Sequence, residues 1–170
     1  MSAFSTISTI EDVVQDLVER LARVALVVAP PVLRIALALP FFKSGLTKWD
    51  GFLSLSPAAS FLFEDEFKLH ILGHAYDFPF PAVFAYFDGI AEIVLPVLLI
   101  LGFATRFSAL ALLVMTGVIQ LVVPEGWANF HLPWAALAVA LMAIGPGKLS
   151  LDHLAASLCR RRRVTDGGRP

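Results

Sequence analysis

Asp88 and Glu92 stand four residues apart in an otherwise apolar run, a spacing that puts both carboxylates on one helix face. At the centre of a bilayer each charge costs at least about 2.5–3.5 kcal/mol on insertion scales, so such groups face the protein interior and pair. Arg34, also within an apolar run, is the expected partner of Glu92. One reading is an Arg34–Glu92 bridge that only fixes helix pairing; the other is a polar site or proton relay inside the bundle. Lys43 and Lys48 add positive charge at the outer end of the first span, although their long stems also suit snorkelling. Gln120 lies toward the outer end of the third span and His131 opens the fourth. Lys43, Lys48, Asp88, Gln120 and His131 should ring the outer half of the bundle, with Glu92 and Arg34 below. Two carboxylates this close in low dielectric do not both ionise without a cation beside them. A protonated one would suit proton-coupled electron transfer.

Other polar residues carry weaker signals. His70 and His74 stand at i and i+4 on an expected short helix, a spacing that can hold one metal ion, with His131 on the same side of the membrane to complete it. No carboxylate or thiolate stands at a ligand spacing with them, so a solvated interfacial role is the simpler reading. Cys159 is the only cysteine, which rules out an internal disulfide and a CxxC motif. There is no Gly-rich phosphate loop, Ser/His/Asp pattern, flavin motif or pair of haem histidines across two spans.

The elements that must position these residues are apolar helices. Hydrophobic residues make up 58% of the 170 and charged ones 16%, against about 45–50% and about 25% in soluble domains. Mean hydropathy is +0.77. The excess apolar surface calls for lipid, and the fold expected is an all-α integral membrane bundle of four transmembrane helices with an N-terminal amphipathic helix.

Residues 1–29 divide into a Ser/Thr-rich, disordered start over 1–9 and an amphipathic helix from Glu11 that lies on the membrane or under the bundle, ending at Pro30-Pro31. The early charges Glu11, Asp12, Asp16 and Glu19 are the wrong sign for a secretory signal. The membrane domain covers 30–152, with spans at about 31–49, 82–101, 107–123 and 130–144. The long connection 50–80 is rich in acids and aromatics, with a short amphipathic helix expected around Phe61 to Leu72, ending at Gly73. Residues 153–170 form a basic tail containing Arg160 to Arg163.

With four spans both termini share a side. That side holds nine basic residues (Arg20, Arg23, Arg106, Lys148, Arg160 to Arg163 and Arg169), and the other holds three (Lys43, Lys48 and Lys68). Both termini are therefore expected in the cytoplasm, with 50–80 outside. A basic run attached to a membrane helix reads as a topogenic signal or a headgroup contact, not as a nucleic-acid site.

Several stretches are similar to one family. They are Arg34-Ile-Ala-Leu-Ala-Leu-Pro-Phe-Phe-Lys-Ser-Gly-Leu-Thr-Lys48, Ala91-Glu92, Leu101-Gly102-Phe103-Ala104-Thr105-Arg106, and Gly145-Pro146-Gly147-Lys148-Leu149-Ser150-Leu151-Asp152. In order and spacing they resemble the DoxX family of small bacterial membrane proteins, over roughly Pro31 to Asp152. The resemblance implies a four-helix bundle in the bacterial inner membrane, with Arg34, Lys48, Glu92 and Arg106 at the family's recurring polar positions. A related subunit type belongs to an archaeal thiosulfate:quinone oxidoreductase; other members are linked to thiol and oxidative-stress protection, or are encoded beside copper-handling proteins. The Pro30-Pro31 pair, the acidic 50–80 connection and Asp88 depart from the commonest pattern.

Two functional readings follow. One is the membrane subunit of a redox system, not self-sufficient as an enzyme, with a quinone as the non-covalent ligand of the polar site and a protein partner or second copy beside it. The other is a non-enzymatic binding or assembly protein, with copper or another metal as its cargo. A small transporter fits least well, because the four short spans show no internal repeat.

Overall fold

The computed structural model describes the backbone of residues 2–166 and the side chains of residues 11–160. Four helical segments are long and apolar enough to cross a membrane: Glu11–Thr47, Pro81–Leu101, Thr105–Val122 and Pro124–Ile144. The protein is the expected all-α membrane bundle.

Helix α1 (Ser2–Thr47) is one continuous helix of 46 residues. The amphipathic segment is helical, as its periodicity requires, but it is the first part of α1 and not a helix of its own. Pro30-Pro31 does not break the chain. Proline already has the helical φ, and what it removes is one amide donor per residue, a loss that transmembrane helices tolerate. Backbone of the Ser/Thr-rich start from Ser2 belongs to α1, and the side chains of that start lie outside the described residues.

The pattern along α1 shows why it belongs to a bundle. Arg34, Leu37, Ala38, Phe41, Gly45 and Lys48 are buried at three- and four-residue spacing, whereas Val32, Ile35, Leu39 and Leu46 are exposed. The first set faces protein and the second faces lipid. Helix α3 (Pro81–Leu101) answers with Ala85, Gly89, Glu92, Pro96 and Leu99 on its buried face. Gly45 lets the two helices close together, since a Cβ there would lie 2.9 Å from Ile93 Cγ1.

Helix α4 (Thr105–Val122) and the final helical path complete the bundle. That path begins at Pro124, earlier than the expected 130, with a 3-10 turn and a π turn leading into α5 (Leu132–Ile144). The extra turns bring a helix of only 13 residues up to a 21-residue span. The main core joins Leu37, Ala38 and Phe41 to Leu99, Ala109, Leu112, Ala138 and Leu141. Helix α6 (Leu151–Asp166) follows, with the Ser150 hydroxyl accepting from the His153 amide as its N-cap.

The 50–80 connection differs most from expectation. It folds as a small hairpin, β1 (Trp49–Gly51) with β2 (Ser54–Leu55), then helix α2 (Pro57–Phe61) running into a π turn at Leu62–Glu66. A second hairpin pairs β3 (Lys68–Ile71) with β4 (His74–Asp77) in antiparallel register. No single helix covers Phe61 to Leu72: the helical turns stop at Glu66 and β3 begins at Lys68. Leu72 (φ 51°) and Gly73 (φ 82°) make the two-residue turn between Ile71 and His74, which reverses the chain where a helix would have to continue. Phe63 and Phe78 from this cap bury themselves against Ala85 of α3.

Candidate functional site

Lys48, the residue after α1, continues that helix's buried face, and its ammonium bonds both Asp88 Oδ2 and Glu92 Oε2. The helical spacing of the two acids brings both oxygens to one cation. The cluster is well shielded: side-chain exposure is 10% for Lys48, 23% for Asp88 and 5% for Glu92. In low dielectric the three groups hold one another, and removing the cation leaves two buried acids uncompensated. The Lys48 Nζ also lies 5.9 Å from the centroid of the Phe63 ring.

This cluster lines a cavity of about 360 Å³ at the capped end of the bundle. Pro40, Phe41 and Ser44 of α1 form one wall, and Val118, Ile119 and Val122 of α4 another. Trp134 of α5 and the rings of Phe63, Phe67, Phe78 and Phe84 enclose the rest. Phe41 packs on Trp134 at 5.0 Å, and Phe63 on Phe67 and Phe78 at 5.2 and 5.5 Å. The result is an aromatic slot with a charged cluster in its wall. Lys48 spends two of an ammonium's three donors on the acids, leaving one for a ligand. Ser44, Phe63 and Trp134 were missed in the sequence; the aromatic density of 50–80 was a visible signal for Phe63 alone, and nothing marked Ser44 or Trp134 as cavity residues.

Other expected site residues go elsewhere. Gln120 Oε1 and His131 Nδ1 pair at 2.6 Å, with His131 buried beside Gly126 and 5.5 Å from the Trp134 ring. They form a second polar pair next to the cavity, not part of its lining. Lys43 is exposed on the lipid-facing side of α1. His70 and His74 sit on paired strands, and because His74 pairs with Ile71 while His70 pairs with Ala75, their side chains leave opposite faces. The i, i+4 argument for a metal therefore has no helix to rest on. His70 Nδ1 instead lies 3.1 Å from the Leu121 carbonyl.

Arg34 does not reach Glu92. Glu92 and Ile100 are eight residues apart, about 12 Å along α3, and Arg34 is at the Ile100 end. Its Nη1 donates to the Ile100 carbonyl at 3.3 Å and its Nη2 to the Leu149 carbonyl at 2.5 Å. A guanidinium at a helix C-terminus satisfies orphan carbonyls and suits the helix dipole. Asp152 completes this node by accepting from the Ala104 and Thr105 amides at 2.8 and 2.9 Å, so that it caps α4. Burial pushes the Asp152 carboxyl up, but the Thr105 and Ala104 amides, the Thr105 hydroxyl and the Arg34 charge outweigh it and hold the group below the ordinary carboxylate value. Arg106, another recurring polar position, is exposed, with its guanidinium near Gly145.

The family model that matches this chain is DoxX, over residues 29–125, more than half of the sequence. An uncharacterized protein of Haemophilus influenzae is 34% identical over 142 residues, which cover 72% of this chain and 80% of that protein. No solved structure matches the chain. The matched region holds α1 from Ala29, the Lys48–Asp88–Glu92 cluster and all of the cavity lining except Trp134, and by this match over more than half of the sequence the chain belongs to the DoxX family.

Proposed function

We propose that the protein is the membrane subunit of a redox system in the bacterial inner membrane, and that its aromatic cavity binds the head of a quinone. Both termini lie in the cytoplasm on this reading, by the balance of basic residues. The observation that carries the proposal is a single cation held between two acids in the wall of an aromatic slot. A quinone head needs an apolar, ring-shaped space with a few hydrogen-bonding groups at its carbonyl oxygens. The residues present fit that requirement: flat rings for the walls and one unspent Lys48 donor for a carbonyl.

A bound quinone would supply two-electron, two-proton chemistry. The chain's own residues bind, orient and handle protons. Lys48 fixes one carbonyl oxygen, and the Phe and Trp rings exclude water. Asp88 and Glu92 outnumber the cation, so the cluster can take up or release one proton beside the ligand. Electrons come from a partner subunit, because the sequence holds a single cysteine and no flavin or haem motif.

Solvent extraction of protein purified from native membranes tests the reading. About one quinone per chain is expected in the wild type, and Glu92→Gln should lower occupancy or the rate of partner-coupled reduction. Extracts without quinone, together with a Glu92→Gln protein of unchanged activity, would favour the non-enzymatic binding role.

A further inference from the structure

A second concavity, of about 700 Å³, lies at the opposite end of the bundle. Ala22, Ala25, Leu26 and Ala29 of α1 form one side, and Ile144 and Pro146 the other, with Lys148 and His153 at the rim. We propose that this groove seats one anionic phospholipid, of the phosphatidylglycerol class.

Three observations select that occupant. The groove sits where the apolar span ends at Ile144 and the Gly145-Pro146-Gly147 turn begins, which is the level of the lipid headgroups. Its walls are aliphatic, matching an acyl chain, and Gly147 in its lining packs on Pro30 as only a glycine can (a Cβ would lie 2.6 Å from Pro30 Cβ). Its rim is cationic. Among the described residues Lys148 makes no ion pair, and the nearest acid in sequence, Asp152, is already spent on the α4 amides. A phosphodiester supplies the complementary charge, and interhelical basic pockets at this depth favour anionic lipids.

The prolines add a more specific feature. Pro30 has no N–H for the carbonyl of Leu26, the carbonyl four residues before it, and Leu26 lines the groove. A carbonyl without its helical donor seeks another. The glycerol hydroxyls of phosphatidylglycerol can provide one, and the choline headgroup cannot.

Native mass spectrometry of the full-length protein tests this, after reconstitution in nanodiscs of dioleoyl phosphatidylglycerol mixed with dioleoyl phosphatidylcholine and release in mild detergent. One retained phosphatidylglycerol per chain is expected. Lys148→Gln with His153→Gln should reduce retention roughly tenfold, Ala25→Trp should abolish it by filling the groove, and Lys148→Arg should keep it while confirming a folded protein. Equal retention of the two lipids, or full retention in Ala25→Trp, would overturn the proposal. Displacement of the bound lipid by millimolar glycerol 3-phosphate would also overturn it, by showing a site for a free phosphate.

Discussion

At the residue scale, charge count decides which groups matter. Lys48 serves two acids, so its loss should be the most damaging single change at the outer site. Lys48→Met leaves the buried Glu92 and the half-buried Asp88 without a cation and is expected to cost about 3–5 kcal/mol, read as a lower midpoint of thermal unfolding in detergent. Lys48→Met combined with Asp88→Asn and Glu92→Gln should recover most of that stability without recovering ligand binding. Recovery of neither would mean that the cluster does not act as a unit. Asp152 makes a different prediction. Its folded carboxyl is held below the ordinary value, so its stabilisation is fully present above the unfolded value of about 3.9 and fades as pH falls through the folded value. Asp152→Asn should therefore cost about 1 kcal/mol at neutral pH, and the gap from wild type should close only below about pH 4.

Among elements, the helix ends carry the tightest packing. Gly102 ends α3 at φ 69°, and a Cβ there would meet Arg34 Nη1 at 2.0 Å and Ser150 Cβ at 2.5 Å. Gly102→Ala should cost about 1–3 kcal/mol and disturb the Arg34 node while leaving the outer cavity's ligand affinity intact; a midpoint unchanged from wild type would contradict the packing described. The spans were legible in the sequence because an apolar run of membrane length has few alternatives. The Asp88–Glu92 pair was legible because four residues is just over one helical turn. The partner was not. Choosing Lys48 over Arg34 requires the axial level of α1 against α3, and two prolines obscured that register by suggesting a break at 30–31. The β3–β4 hairpin was hidden for another reason: its turn uses Leu72-Gly73, where asparagine or aspartate usually marks the first left-handed position. Without that signal, His70 and His74 looked like neighbours on a helix.

Across the whole molecule, polar chemistry is split between two ends. The capped end pairs the charged cluster with an aromatic cap built from 50–80, and the opposite end uses Arg34 and Asp152 to tie α1, α3, α4 and α6 together. This separation explains how one small bundle carries several shielded charges: each set finds opposite charge within its own node, Lys48 between two acids at one end and Arg34 near Asp152 at the other. It also fixes a topology test. Cys159 is exposed and is the single native thiol. A membrane-impermeant maleimide should label it only in inverted vesicles, and should label Asp65→Cys in a Cys159→Ser background only in intact spheroplasts. The reverse pattern would invert the orientation.

The proposed function rests on binding of a quinone head in the aromatic cavity, through the cation held by Asp88 and Glu92. Its most direct measurement is the fluorescence of the purified protein in quinone-free nanodiscs, titrated with a short-tailed quinone, since Trp134 lines the cavity. Saturable quenching is predicted for the wild type, reduced in amplitude when Trp134 is replaced by Phe and weakened in affinity at least roughly tenfold when Lys48 is replaced by Gln, the worth of one charge-assisted hydrogen bond. Quenching that does not saturate, or that is the same in wild type and Lys48→Gln, would contradict it.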